Sequence, residues 1–86
     1  MIIVKQRSKI TITGYLAVYD RDKSGNALQI SIESDDFITY IIETDQTARQ
    51  MFPLTQKRLT LKGEIIGENE KSNPIIKVSE YRIISE

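Results

Sequence analysis

Apolar and polar residues alternate at period two through most of this chain, and the two clearest stretches nearly repeat each other. Lys9-Ile10-Thr11-Ile12-Thr13-Gly14-Tyr15-Leu16 aligns with Arg58-Leu59-Thr60-Leu61-Lys62-Gly63-Glu64-Ile65. Each reads as a cation, a run of strict alternation, then a glycine where the next inward side chain should fall. Alternation at period two marks a strand with one face in a core. A glycine on that inward face removes bulk where a strand bends sharply or another backbone approaches. Two such strands, far apart in a short chain, predict a small, strongly coiled barrel.

The rest of the pattern fills in the barrel. A first strand is predicted over residues 9–19, with Ile10, Ile12, Leu16 and Val18 inward and Thr11, Thr13, Tyr15, Ala17 and Tyr19 outward. A polar loop over 20–26 follows, closed by Ser24-Gly25-Asn26. Alternation returns with Leu28, Ile30 and Ile32 inward, and Ser34-Asp35-Asp36 predicts a tight hairpin. A third strand over 37–43 has Ile38, Tyr40 and Ile42 on one face and Phe37, Thr39 and Ile41 on the other, so it is either covered on both sides or exposes an apolar stripe.

Thr44-Asp45 then caps a short helix beginning near Gln46. Ala48, Met51 and Phe52 recur at helical spacing, Pro53 stops the helix, and its apolar side is expected to plug one end of the barrel. A fourth strand is predicted over 57–67, a charged loop over 68–74 and a last strand over 75–84. In the last strand the inward set runs Ile76, Val78, then Tyr81 and Ile83, the one-residue slip that a bulge produces.

Three strands, a short helix and two strands, with Gly14 in the first strand, Gly63 in the fourth and Ile76-Lys77-Val78 closing, resemble the OB-fold, an all-β five-stranded Greek-key barrel. The likeness covers nearly the whole chain as a single domain, and is similar to that of small free-standing bacterial OB domains, tRNA-anticodon-binding-like ones included. An SH3-like barrel is the second architecture, disfavoured because it has no need of the central helix. The resemblance implies an extended ligand, single-stranded DNA or RNA, on the outer face of strands two and three between the first and last hairpin loops.

Composition narrows the function classes. The chain has 86 residues, enough for one core, and 12 cations balance 12 anions. A zero balance argues against strong nonspecific nucleic-acid affinity. With no cysteine and no histidine there is no thiolate or imidazole metal site and no histidine base. Nucleophile activation would rest on carboxylate, Lys or Tyr chemistry, and the glycines are dispersed rather than gathered into a phosphate-cradling loop. The expectation is a noncatalytic binding module without cofactor or metal. No apolar run is long enough to cross a membrane. Met1-Ile2-Ile3-Val4 is too short for a signal-peptide core, and is expected to be strand, able to pair with an open barrel edge of its own chain or a neighbour's. The chain is expected to be a monomer or a weak dimer.

Stacking surfaces and cations are what a single strand would use. Tyr15 and Tyr19, four apart on one strand, lie about 13 Å apart on one face by strand rise, with Phe37 expected nearby on strand three. Arg21, Lys23, Lys62 and Lys77, with Lys71, are the candidate phosphate contacts. Set against this, the loop cations alternate with Asp20, Asp22, Glu68 and Glu70, and Glu33, Asp35 and Asp36 repel phosphate. A protein partner is the alternative, with strand edges and outer-face Ile41 and Ile66 as its contacts. Asp20-x-Asp22-x-Ser24-Gly25 matches the first half of a calcium loop, but position twelve falls on Ser31, so an Asp-rich turn explains it better.

Overall fold

The computed structural model describes residues 9–84. Its elements run β1 (Lys9–Arg21), β2 (Ala27–Ser34), β3 (Thr39–Ile42), α1 (Gln46–Met51), a 3₁₀ turn (Phe52–Leu54), β4 (Arg58–Glu68) and β5 (Pro74–Ile83). The strands close into a barrel in the order β1-β2-β3-β5-β4. Neighbours are antiparallel except β3 and β5, which run parallel and pair at Ile41 with Ile75 and at Ile42 with Ile76. This is the all-β, five-stranded barrel expected from the pattern, with its one helix between the third and fourth strands, and it is consistent with the OB-fold likeness.

β1 serves two neighbours in turn. Lys9 to Tyr15 pair with β4, and Gly14 to Arg21 pair with β2. Gly14 sits at the hand-over, where a Cβ would lie 2.7 Å from the Glu33 carbonyl carbon and 2.8 Å from the Ser34 Cα. Gly63 is the same device on β4, with the Ile76 side chain and the Lys77 carbonyl carbon each 3.0 Å from where its Cβ would stand. Bulk at either position would push backbone away from backbone, which is why the repeat ends on glycine both times.

The barrel encloses Ile12, Leu16, Ile30, Ile32, Ile42, Leu59, Leu61, Ile76 and Val78, and α1 adds Ala48 and Met51 to the same cluster. Asp45 is the N-cap, its carboxylate accepting from the Ala48 N–H at 3.0 Å, as the sequence indicated. Pro53 does not stop the chain outright but sits inside the 3₁₀ turn that tightens the helix end.

Several inward assignments are corrected by bulges. Val18 and Asp20 pair with Ile30 and Gln29, leaving Tyr19 over, and the next step pairs Arg21 with Ala27, leaving Leu28 over. Leu28, expected inside, is therefore 50% exposed. The predicted slip in β5 is real: Ser79 is the extra residue between Val78 and Glu80, opposite Gly63 and Lys62. After it Tyr81 packs on the core, whereas Ile83 is 46% exposed.

β3 is shorter than its pattern. Phe37 and Ile38, expected to begin it, lie in the preceding turn, and Ile38 is exposed rather than inward. Ile41, expected on an accessible outer face, is buried. Register aligns Ala17, Ser31, Ile41 and Ile75 in one outer row across four strands, and Ser31 is buried too. The middle of the strand two–three face is covered rather than open. The pairing expected of Ile2, Ile3 and Val4 lies outside the described residues. Among the described residues no helix is long and apolar enough to cross a membrane.

Candidate functional site

All three hairpin loops share one design. The first residue, Asp22, Ser34 or Asn69, donates its N–H to the carbonyl of the fifth at 2.9 Å in each case. Its own carbonyl accepts from the N–H of the fourth, at 3.0 Å in the first loop and 2.9 Å in the others. Its side-chain oxygen accepts from the N–H of the fifth, at 2.9, 3.1 and 2.8 Å respectively. Such a loop needs a left-handed residue in the fourth place, which is Gly25, Phe37 and Ser72 in turn, at φ of +89°, +66° and +66°. Glycine accepts that conformation freely, and a bulky aromatic does so at a cost of about 1–2 kcal/mol.

Phe37 is the anomaly in this set. It is 96% exposed, and Ile38 beside it is 42% exposed. The turn under it is fixed further by the Asp35 N–H donating to the Thr13 carbonyl at 3.0 Å and by an ion pair between Asp35 and Arg58. A phenylalanine is thus held out in water, on a firm base, in a conformation that disfavours it. Asp35 and Asp36 stand immediately before it in the turn.

The seven residues singled out in the sequence are spread over β1, the first two hairpin loops, β4 and β5. Tyr15 is half-exposed on β1, with Glu33 of β2 on one side and Arg58 of β4 on the other in the register. Tyr19 is the unpaired residue of the β1 bulge, and its hydroxyl accepts from Asn69 Nδ2 at 3.2 Å, which ties the first hairpin to the last. Arg21 donates to the Gly25 carbonyl at 2.8 Å inside its own loop, and Lys23 stands exposed at that loop's tip.

Phe37 sits on the β2–β3 turn and not on the third strand, because Ser34 closes the loop onto Ile38 before pairing resumes. Lys62 lies on the outer face of β4 between Thr11 and Glu80, its ammonium 3.7 Å from the Glu80 carboxylate. Lys77 is on β5, its ammonium 3.0 Å from Asp45. Lys62 is on the fourth strand, as expected, and Lys77 is on β5 just after the last hairpin loop. A polar depression of about 300 Å³ runs past Lys9, Thr11, Lys62 and Glu80 on their side of the barrel.

Electrostatics follow the same lines. The two loops flanking the expected groove carry Asp20, Asp22, Glu68 and Glu70 against Arg21, Lys23 and Lys71, a balance that does not attract phosphate. The Asp22 carboxylate, half of the calcium-like motif, accepts from the N–H groups of Asn26 and Ser24 and from the Asn26 side chain. Those bonds, the Asn26 N–H foremost, hold its pKa below the usual carboxylate value. Its oxygens are committed to the turn. Asp45 is likewise held low, first by the Ala48 N–H and then by Lys77.

Sequence reasoning placed a tight hairpin at Ser34-Asp35-Asp36 but missed the Asp35–Arg58 pair and the way the loop lifts Phe37. The signal was present: Asp22, Ser34 and Asn69 are all residues whose short side chains bond nearby backbone in turns. No protein-family model and no curated protein matches this chain.

Proposed function

We propose that this barrel is a noncatalytic protein-recognition module and that Phe37 is its anchor. One observation carries the reading: Phe37 occupies the left-handed loop position filled by Gly25 and Ser72 in the sister loops, while 96% exposed. Backbone strain combined with an exposed aromatic is costly to the free protein and serves a contact made elsewhere. Asp35 is already paired with Arg58, but the carboxylate of Asp36 beside Phe37 repels phosphodiesters, so base stacking on Phe37 is disfavoured. It complements a partner whose apolar pocket is rimmed by lysine or arginine.

A second reading has one observation in its favour. Tyr15, half-exposed on β1, offers a base one stacking surface, beside an Arg58 whose guanidinium is already paired with Asp35. On that reading the ligand is single-stranded nucleic acid, and its contact is Tyr15 rather than the strand two–three groove.

Affinity capture from an extract of the source cell, with the wild-type protein and with Phe37→Gly, tests the first reading. The variant loses the captured protein; retention at equal yield removes Phe37 as the anchor. In parallel, fluorescence titration with single-stranded oligonucleotides over a salt series tests the second. Binding that falls with a slope near 0.7 per phosphate contact, and that Tyr15→Ala abolishes, would put nucleic acid first.

A further inference from the structure

Among the described residues β5 keeps one edge unpaired. β3 pairs with it only at Ile75 and Ile76, after which the chain turns away into α1, so from Val78 to Ile83 β5 has β4 alone beside it. The Ile84 N–H donates to the Arg58 carbonyl of the β4 side at 2.9 Å. In an antiparallel ladder, bonding direction alternates along the strand, so Arg82 and Glu80 also turn toward β4. The N–H and C=O of Tyr81 and Ile83 then face the other way. Among the described residues no strand is paired with β5 on that side at these positions.

An open edge is a template for another strand. Edges are normally guarded by charges, and this one carries Glu80 and Arg82, both exposed. Their signs are opposite and they flank Tyr81 symmetrically. Centring an antiparallel self-pairing on Arg82 sets two guanidinium groups against each other, and centring it on Glu80 sets two carboxylates against each other. Centring on Tyr81 sets Glu80 of each copy opposite Arg82 of the other, on the exposed face, where directly opposed charges of unlike sign stabilise a sheet.

We infer that a second copy of this chain docks here, β5 against β5 about a two-fold axis through Tyr81. The two Tyr81 residues exchange N–H to C=O bonds, and Ile83 faces Ser79 of the other copy. The interface is isologous, so it closes at two copies and does not propagate. Within its own chain Glu80 also neighbours Lys62 at 3.7 Å, so each carboxylate lies between two cations in the pair. The Phe37 turn takes no part.

Sedimentation velocity of the full chain over a concentration series tests the inference. The wild-type protein shows a concentration-dependent dimer. Glu80→Arg alone and Arg82→Glu alone each place like charges opposite and weaken it by roughly tenfold or more. An equimolar mixture of those two variants recovers the dimer, as does the double exchange within one chain. Circular dichroism establishes that every variant is folded, which is expected at exposed positions. A wild-type protein that stays monomeric throughout overturns the inference, as do single variants that dimerise unchanged, or folded variants whose mixture does not recover association.

Discussion

Asp35, in the turn between β2 and β3, is ion-paired with Arg58, the first residue of β4. The turn that presents Phe37 is therefore strapped to a strand two places round the barrel. Both partners are partly exposed, so the pair contributes little to global stability, of order 0–1 kcal/mol. Arg58→Ala is expected to move the urea midpoint only slightly. It is expected to speed amide exchange at the Phe37 N–H, which is bonded to the Ser34 carbonyl. Unchanged exchange at that amide would mean that the strap does not hold the turn.

Phe37→Gly is expected to stabilise the protein by about 1 kcal/mol, because glycine takes the left-handed conformation without strain. A residue whose replacement improves the fold and removes binding serves something other than folding. Loss of stability in thermal or urea melts would show that Phe37 is comfortable where it stands.

The hand-over at Gly14 makes a second, opposite prediction. A methyl group there meets the backbone of Glu33 and Ser34, which cannot rotate aside, so Gly14→Ala costs about 3 kcal/mol or more. Gly63→Ala falls in the same class, against the Lys77 backbone. Gly25→Ala meets nothing within 4 Å and suffers only from its φ of +89°, a smaller loss of about 1 kcal/mol. Equal effects at Gly14 and Gly25 in urea titrations would contradict the crowding argument.

Acid should weaken the protein through two carboxylates. Asp45 and Asp22 are both held below their ordinary value of 3.8 by hydrogen bonds that only the folded chain provides. Their stabilisation is complete above that value and is lost as the pH falls through their lower folded values. Asp45→Asn keeps an acceptor for the Ala48 N–H and removes one titrating group, so its acid loss is shallower. Asp45→Ala costs about 1 kcal/mol at neutral pH through the lost cap. Parallel pH profiles for wild type and Asp45→Asn would exclude Asp45 from the acid response.

The architecture was legible because its causes are local. Period-two alternation, glycines at Gly14 and Gly63, the Asp45 cap and the slip after Val78 are each written in a few consecutive residues. The candidate site was not, because alternation assigns a side chain to a face and says nothing of which strand comes to lie beside it. Lys62 and Lys77 were outward as expected, yet β4 and β5 carry them to a different part of the barrel from Tyr19. Paired bulges at Tyr19 and Leu28 leave no sequence mark. Phe37 continued the alternation of Thr39 and Ile41 by chance, and only the bond from the Ile38 N–H to Ser34 Oγ takes it off the strand.

Fluorine NMR on protein carrying fluorophenylalanine tests the central claim most directly, since the chain has just two phenylalanines, Phe37 and Phe52. In the free protein the Phe37 signal is expected near the shift of the free amino acid and to respond to exchange of water for deuterium oxide, while Phe52, packed against the core, is displaced and insensitive. On adding the captured partner, the Phe37 signal moves and loses its solvent response, and Phe52 stays in place. A Phe37 signal already shielded from solvent in the free protein, or one indifferent to the partner, would contradict the account.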